Sequence, residues 1–280
     1  MKTLFFFLST VLLSAFAFGS LDPETVWHTK IGDIDFYSIQ DGANEMNNRV
    51  LLTEDKDAPA KLSPTGKTPS GFGAFVVKKG TDVALIDTGV GGRLLVCLQS
   101  IGIKPEDVKH VFITHSHGDH VGGLVKDGKK VFPNATLYLD ERELTFWKSG
   151  RAKEQCEQCL QLYGEPKFLK PDEKTTVVFP ELVAIDLAGH TPGHVGFLLS
   201  GDDKKILIAG DLLHHGAVQF ARPDISVQYD SDPKVAAAVR AQTLHRAAGE
   251  KLLFAAAHLA FPAVGHVTDD GKGFRFTPVE

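Results

Sequence analysis

The sequence predicts a mixed α/β protein built from two similar halves, whose sheets pack together with helices outside. Three observations carry this. Short runs of β-branched and aromatic residues, bounded by turn residues, mark strands along the whole chain. Groups of such strands are followed by helical periodicity, and this happens twice. No linker separates the halves, so residues 20–280 are expected to form one domain. At 280 residues and 43% hydrophobic composition, that domain can bury a sizeable core.

The elements follow in chain order. Lys2, the uncharged apolar run from Leu4 to Phe18 and the small residues Gly19 and Ser20 have the layout of a secretory signal peptide, assigned to residues 1–19. Its apolar run is shorter than the ~20 residues of a membrane span, so no stable membrane association is expected after cleavage. The mature protein is expected to be periplasmic or secreted. Thr25–Lys30 and Ile34–Ile39 alternate like a hairpin turning at Gly32-Asp33, and residues 41–70 read as a long loop, with room for a short helix, able to cover a site. Phe72–Lys78 and Asp82–Asp87 form the next strand pair, and Gly91–Ile101 has helical spacing stopped by Gly102. A strand over 110–114 precedes a polar loop, and Val121–Val125 begins a short helix. Ala135–Leu139 is a strand, Asp140 the N-cap of a helix through Trp147, and 151–162 a second helix. Thr176–Phe179, Val183–Leu187, Val195–Leu199 and Ile206–Ala209 are short strands. Asp232-Pro233 opens a helix to about Ala248, with proline at its first position, and Leu252–Ala257 reads as the final buried strand.

Chemistry concentrates in residues 114–120, Thr-His-Ser-His-Gly-Asp-His. His115, His117, Asp119 and His120 place four potential ligands within six residues at the end of an apolar strand. Imidazole and carboxylate suit zinc and similar divalent metals, and incidental polar residues do not account for such density. Three further polar residues follow apolar runs: His190 in Gly-His-Thr-Pro-Gly-His, Asp211 after Ile206–Gly210, and His258 after Leu252–Ala257. An aspartate behind such a run is costly without a cation or donors nearby. The set of five imidazoles and two carboxylates is enough for two metals and too large for one. Cys156 and Cys159 lie three apart on a helical segment, so a local disulfide between them is left open, and Cys97 stays unpaired in any arrangement.

This succession (HxHxDH, GHTPGH, a strand-end Gly-Asp and a strand-end His, with Asp87-Thr88-Gly89 upstream) resembles the metallo-β-lactamase-fold hydrolases. The stretches Gly210–His214, Ala217–Phe220, Asp230 and Ala257–Pro262 look most like the methyl parathion hydrolase-like branch, close to the quorum-quenching lactonases. The resemblance implies a four-layer αββα sandwich with a dinuclear site at one sheet edge. It assigns His115, His117 and His190 to the first metal and Asp119, His120 and His258 to the second, with Asp211 bridging. His258 is preferred over His266, and His194 is expected to play a supporting part.

Two divalent metal ions, zinc by default, share a water and lower its pKa toward ~7, giving a hydroxide nucleophile. Asp119 is a candidate catalytic residue that takes and passes on the proton. His214, where related lactonases carry a tyrosine, is a second candidate that contacts the substrate oxygen. There is no Gly-x-Ser-x-Gly element to supply a serine nucleophile. The expected activity is hydrolysis of a lactone, ester or phosphotriester in a small-molecule substrate. A β-lactam substrate is the alternative, weakened because Asp211 stands where many lactam-hydrolysing members have a cysteine. A non-catalytic metal-binding protein is the second alternative. Phe72, Phe146 and Trp147 are candidate walls of an apolar pocket. A formal charge of −5 supplies no general attraction to nucleic acid, and a homodimer is left open.

Overall fold

The computed structural model describes residues 25–171 and 180–280. The expected signal peptide and the expected strand Thr176–Phe179 lie outside the described residues. Two large sheets organise the molecule. The first holds β1 (Val26–Ile31), β2 (Ile34–Asn47), β3 (Lys67–Lys79), β4 (Asp82–Ile86), β5 (Val108–Phe112), β6 (Thr136–Asp140) and β7 (Lys167–Leu169), side by side in that order. The second holds β8 (Leu182–Asp186), β9 (Val195–Ser200), β10 (Lys205–Ile208), β11 (Leu253–Ala255), β12 (Val264–Asp269) and β13 (Phe274–Pro278), also in chain order. Hairpin neighbours run antiparallel, whereas β4 through β7 are mutually parallel, as are β10 and β11.

A parallel pairing needs a crossover, and helices supply it. Besides α1 (Asp57–Leu62), the helices are α2 (Leu94–Ser100), α3 (Gly118–Val121), α4 (Glu141–Ser149), α5 (Lys153–Tyr163), α6 (Gly216–Gln219) and α7 (Pro233–Gly249). The Asp140 carboxylate accepts from Arg142 N–H to start α4, and Asp232 accepts from Lys234 and Val235 N–H to start α7, with Pro233 at the first turn.

Side-chain alternation sorts the core into layers. Phe36, Phe75, Ile86 and Phe112 of the first sheet meet Ala184, Phe197, Ile208 and Val264 of the second, with the Phe112 and Phe197 rings 5.5 Å apart, edge to face. On the outer side of the first sheet, Val76, Leu85, Val111 and Leu137 pack under Leu98, Leu144, Trp147, Cys156 and Cys159. On the outer side of the second, Leu207 and Phe254 pack under Leu244 and Ala247. The result is helix, sheet, sheet, helix, the αββα sandwich. Cys97, Cys156 and Cys159 are buried and none forms a disulfide, so the pair left open above is not bridged.

Three expectations are corrected. Residues 41–70 are not one loop: β2 continues to Asn47 and β3 begins at Lys67, forming a long paired arm, with a 3-10 turn and α1 only at its tip. The helix after the polar loop starts at Gly118, inside the motif, rather than at Val121. Leu252–Ala257 is not the last strand, because β12 and β13 extend the second sheet beyond it. Among the described residues, no helix is long and apolar enough to cross a membrane.

Candidate metal centre

The parallel strand ends build the site. Ile208 of β10 pairs with Ala255 of β11, and Asp211 and His258 each lie three residues beyond those partners. Equal offsets from adjacent parallel strands bring them to the same edge, where His258 Nε2 and Asp211 Oδ2 are 3.1 Å apart. In the first sheet, Asp87 follows β4 and the 114–120 loop follows β5. Asp87 sits at φ +61°, a left-handed conformation rare for an aspartate. Its carboxylate explains why the conformation persists: it accepts from Thr114 N–H, Thr114 Oγ–H and His120 Nδ1–H at 2.7–2.8 Å.

All seven residues proposed as ligands converge. The donor atoms of His115, His117, His190 and Asp211 lie within 4.8 Å of one another, and so do those of Asp119, His120 and His258. His117 Nδ1 is 3.0 Å from both His115 Nε2 and His190 Nε2. Asp211 stands between the sets, with Oδ2 3.4 Å from His115 and His190 Nε2 and Oδ1 3.1 Å from His120 Nε2. Asp119 approaches His258 Nε2 at 3.3 Å and His120 Nε2 at 4.0 Å.

The outer nitrogens are tied down, which aims the inner ones. His120 Nδ1 donates to Asp87, His190 Nδ1 to Asp230 and His258 Nδ1 to the Gly71 carbonyl, at 2.8–2.9 Å. Asp230 is itself 3.4 Å from the buried Arg240 guanidinium. His194 is a supporting residue: Nδ1 donates to the Leu187 carbonyl, and Nε2 accepts the Asp211 N–H at 3.1 Å, fixing the central aspartate's backbone. His266 is exposed on β12 and takes no part.

These residues fit a bound cation. His120 Nε2 and Asp211 Oδ1 are buried and close, yet misaligned, and neither has a hydrogen-bond partner among the described residues. Electrostatics point the same way. Burial opposes its charge, but the surrounding imidazoles, His120 and His258 foremost, hold the Asp211 carboxyl well below its usual range. Burial pulls His258 down, and the Asp211 charge with hydrogen bonds to Asp119 and Asp211 overcomes it, raising the ring to about 10. His117 goes the other way, to about 4, through burial and the neighbouring His190. Carboxylates concentrated here are stabilised by any nearby positive charge, which is the condition a metal ion meets.

A cavity of about 760 Å³ opens over this edge, lined by Phe72, Phe146, Trp147, Arg151, Tyr229 and the site residues Asp119, His214 and His258. The Phe72 ring lies edge-on to His258 at 5.9 Å and the Phe146 ring edge-on to His117 at 6.2 Å. His214 Nε2 is 3.1 Å from Asp211 Oδ2, and its ring stacks on His258. Sequence reasoning missed Glu143, whose signal was a charged residue beside Leu144 on the buried stripe of α4. It also missed Asp41, which accepts the N–H groups of Val90, Gly92 and Leu94 at the entry to α2, and Arg240, which donates to the carbonyls of Leu212, Pro223 and Ile225.

The family model of the metallo-beta-lactamase superfamily matches residues 74–258. The chain belongs to this superfamily. Hydrolase AbOPH of the beta-lactamase superfamily superposes with a TM-score of 0.82 at 29% identity, covering 91% of this chain and 98% of that one. AidC, a dizinc quorum-quenching lactonase, gives the same TM-score and coverage at 22% identity and so shares the fold. Among sequence relatives, YobT of Bacillus subtilis (strain 168) is 32% identical over 49% of this chain and 60% of its own length. An N-acyl homoserine lactonase of Bacillus cereus is 24% identical over 41% of this chain and 42% of its own. The chain thus spans about half the length of the relatives it matches.

Proposed function

We propose that this superfamily member is an exported hydrolase that cleaves a lactone, ester or phosphotriester bond in a small-molecule substrate, with two divalent metal ions, zinc by default. The observation that carries this is the position of Asp211 between two sets of converging ligand atoms. A structural zinc site closes with four ligands, whereas six ligands around a central carboxylate, seven in all, exceed what one ion needs. His115, His117 and His190 would hold one ion, and Asp119, His120 and His258 the other, with Asp211 shared. When bound, such a pair activates a water at neutral pH and polarises the substrate's carbonyl or phosphoryl oxygen.

The chain's own residues do the rest. Asp119 keeps a quarter of its side chain exposed to the cavity, so its free carboxylate oxygen is placed to accept the nucleophile's proton and return it to the leaving group. His214 faces the same space from beside Asp211 and is placed to donate a hydrogen bond to the substrate oxygen. Phe72 and Phe146 flank the two imidazole sets, give the substrate apolar walls and exclude water. Secretion through the proposed leader at residues 1–19 would put the enzyme in the periplasm or outside the cell. Lactone-directed chemistry is supported by the acyl homoserine lactonase relative, and the Asp at position 211 speaks against a β-lactam.

Metal analysis combined with a substrate panel tests this. Protein purified without chelator should carry about two equivalents of metal and turn over an acyl-homoserine lactone or a paraoxon-type triester, and chelation should abolish turnover. Metal without turnover of any lactone, ester, triester or lactam would establish the binding role instead. Turnover of lactams alone would overturn the substrate assignment.

A further inference from the structure

Glu143 is a fully buried carboxylate on α4 that touches no proposed ligand. Oε1 accepts from Ser116 N–H at 2.8 Å and Ser116 Oγ–H at 2.6 Å. Oε2 accepts from Thr191 Oγ–H at 2.6 Å and Gly193 N–H at 3.2 Å. All four partners are neutral donors, and together they satisfy a group whose burial is otherwise expensive. Their positions in the chain give the arrangement its meaning. Ser116 lies between His115 and His117, and Thr191 follows His190. One side chain therefore pins both segments that carry the three imidazoles of the first set.

The second set is arranged differently. His120 is oriented by Asp87 and His258 by the Gly71 carbonyl, so neither depends on Glu143. Within the first set His117 is the most exposed ring, and its Nδ1 faces the other ligands. Its direction is set by the backbone next to Ser116, which Glu143 holds. The fit is also close. A Cβ at Gly193 would lie 2.3 Å from Glu143 N and 2.7 Å from Glu143 Cβ, so the second segment approaches α4 as only glycine permits.

We propose that Glu143 is the positioning residue of the first metal set, locking His115, His117 and His190 into one geometry while leaving the second set untouched. This rests on the two-metal reading above. Outer partners of metal ligands commonly change affinity by about 10–100-fold. Here the change should fall on one ion of the two, because the four hydrogen bonds reach only one set.

The test is zinc titration of the full chain, freed of metal, in competition with a chromophoric chelator, which yields two stepwise affinities. Wild type should bind two equivalents. Glu143→Gln keeps the shape but replaces an accepting oxygen with an NH2 facing the Gly193 N–H. It should weaken one equivalent about 10–100-fold and leave the other within about twofold. Equal loss at both sites, or unchanged affinities with only a lower melting temperature, would reduce Glu143 to a fold-stabilising residue and overturn the inference. Wild-type protein binding fewer than two equivalents would instead overturn the two-metal reading, and the inference with it. If Glu143→Gln fails to fold, Thr191→Val and Ser116→Ala, which each remove one side-chain hydrogen bond, should weaken the same single equivalent to a smaller degree. Two folded variants with wild-type affinities would also overturn it.

Discussion

Asp211 sits at the electrostatic centre of the candidate site. Fully buried, it lies within 3.4 Å of five imidazole nitrogens, those of His115, His120, His190, His214 and His258. An uncompensated carboxylate in that position would be expelled or protonated. Asp211→Asn preserves its volume and deletes the charge both ligand sets share. Elemental analysis should find at least one metal equivalent missing, and turnover should fall by more than the ~10–100-fold typical of losing an outer partner. His214 makes a contrasting prediction. In His214→Phe the ring volume stays, both metal equivalents should remain, and kcat/KM should drop roughly 10²–10³-fold through the missing hydrogen bond to the substrate oxygen. Metal loss in that variant would make His214 a ligand rather than a substrate contact.

Elements matter here through their ends. Parallel strands deliver side chains of equal offset to one edge, so β4 with β5, and β10 with β11, bring together residues far apart in sequence. The turn after β4 shows how such an end is held. Asp41, buried at 1% exposure on β2, accepts three backbone N–H groups between Val90 and Leu94. Asp41→Ala leaves these donors without their acceptor, at about 1–3 kcal/mol for each buried group, relieved in part by water entering the space. The expected loss is on the order of 3 kcal/mol, seen as a lower urea midpoint at unchanged slope. The β2–β3 arm was invisible in the sequence for a related reason. Asp41, Asn44, Glu45 and Asn47 lack apolar alternation, and the arm's buried positions, Met46, Thr68 and Ser70, are mostly polar, so its regularity lies in backbone pairing from Gly42↔Phe72 to Asn47↔Lys67. β12 escaped notice likewise, since His266, Thr268 and Asp269 are exposed.

For the whole molecule, fold and site are coupled, because loops from both sheets must meet before any metal can bind. Binding that favours the folded state adds RT ln(1 + [L]/Kd), about 2.7 kcal/mol for one site at a hundredfold excess over Kd. At about 2–4 °C per kcal/mol for a domain of this size, chelation should lower the melting temperature by roughly 5–10 °C, and added zinc should restore it. An unchanged melting temperature after complete metal removal would refute this coupling. The sheet interface is the other global determinant. Phe112→Ala removes a ring packed between Tyr138 and Phe197 and should cost about 3–5 kcal/mol, measurable by denaturant unfolding.

The sequence by itself determined the strand and helix rhythm, the N-caps at Asp140 and Asp232, and the chemical identity of the seven proposed ligands. Those features are local: periodicity, capping and the density of His115–His120 can be read within a few residues. Only the tertiary structure decided that His190, Asp211 and His258 reach that loop, that Asp211 is the residue between the sets, and that Glu143, Asp41 and Arg240 hold the surrounding segments. Those roles depend on partners tens of residues away, and a buried charge shows its purpose only once the donors around it are in place.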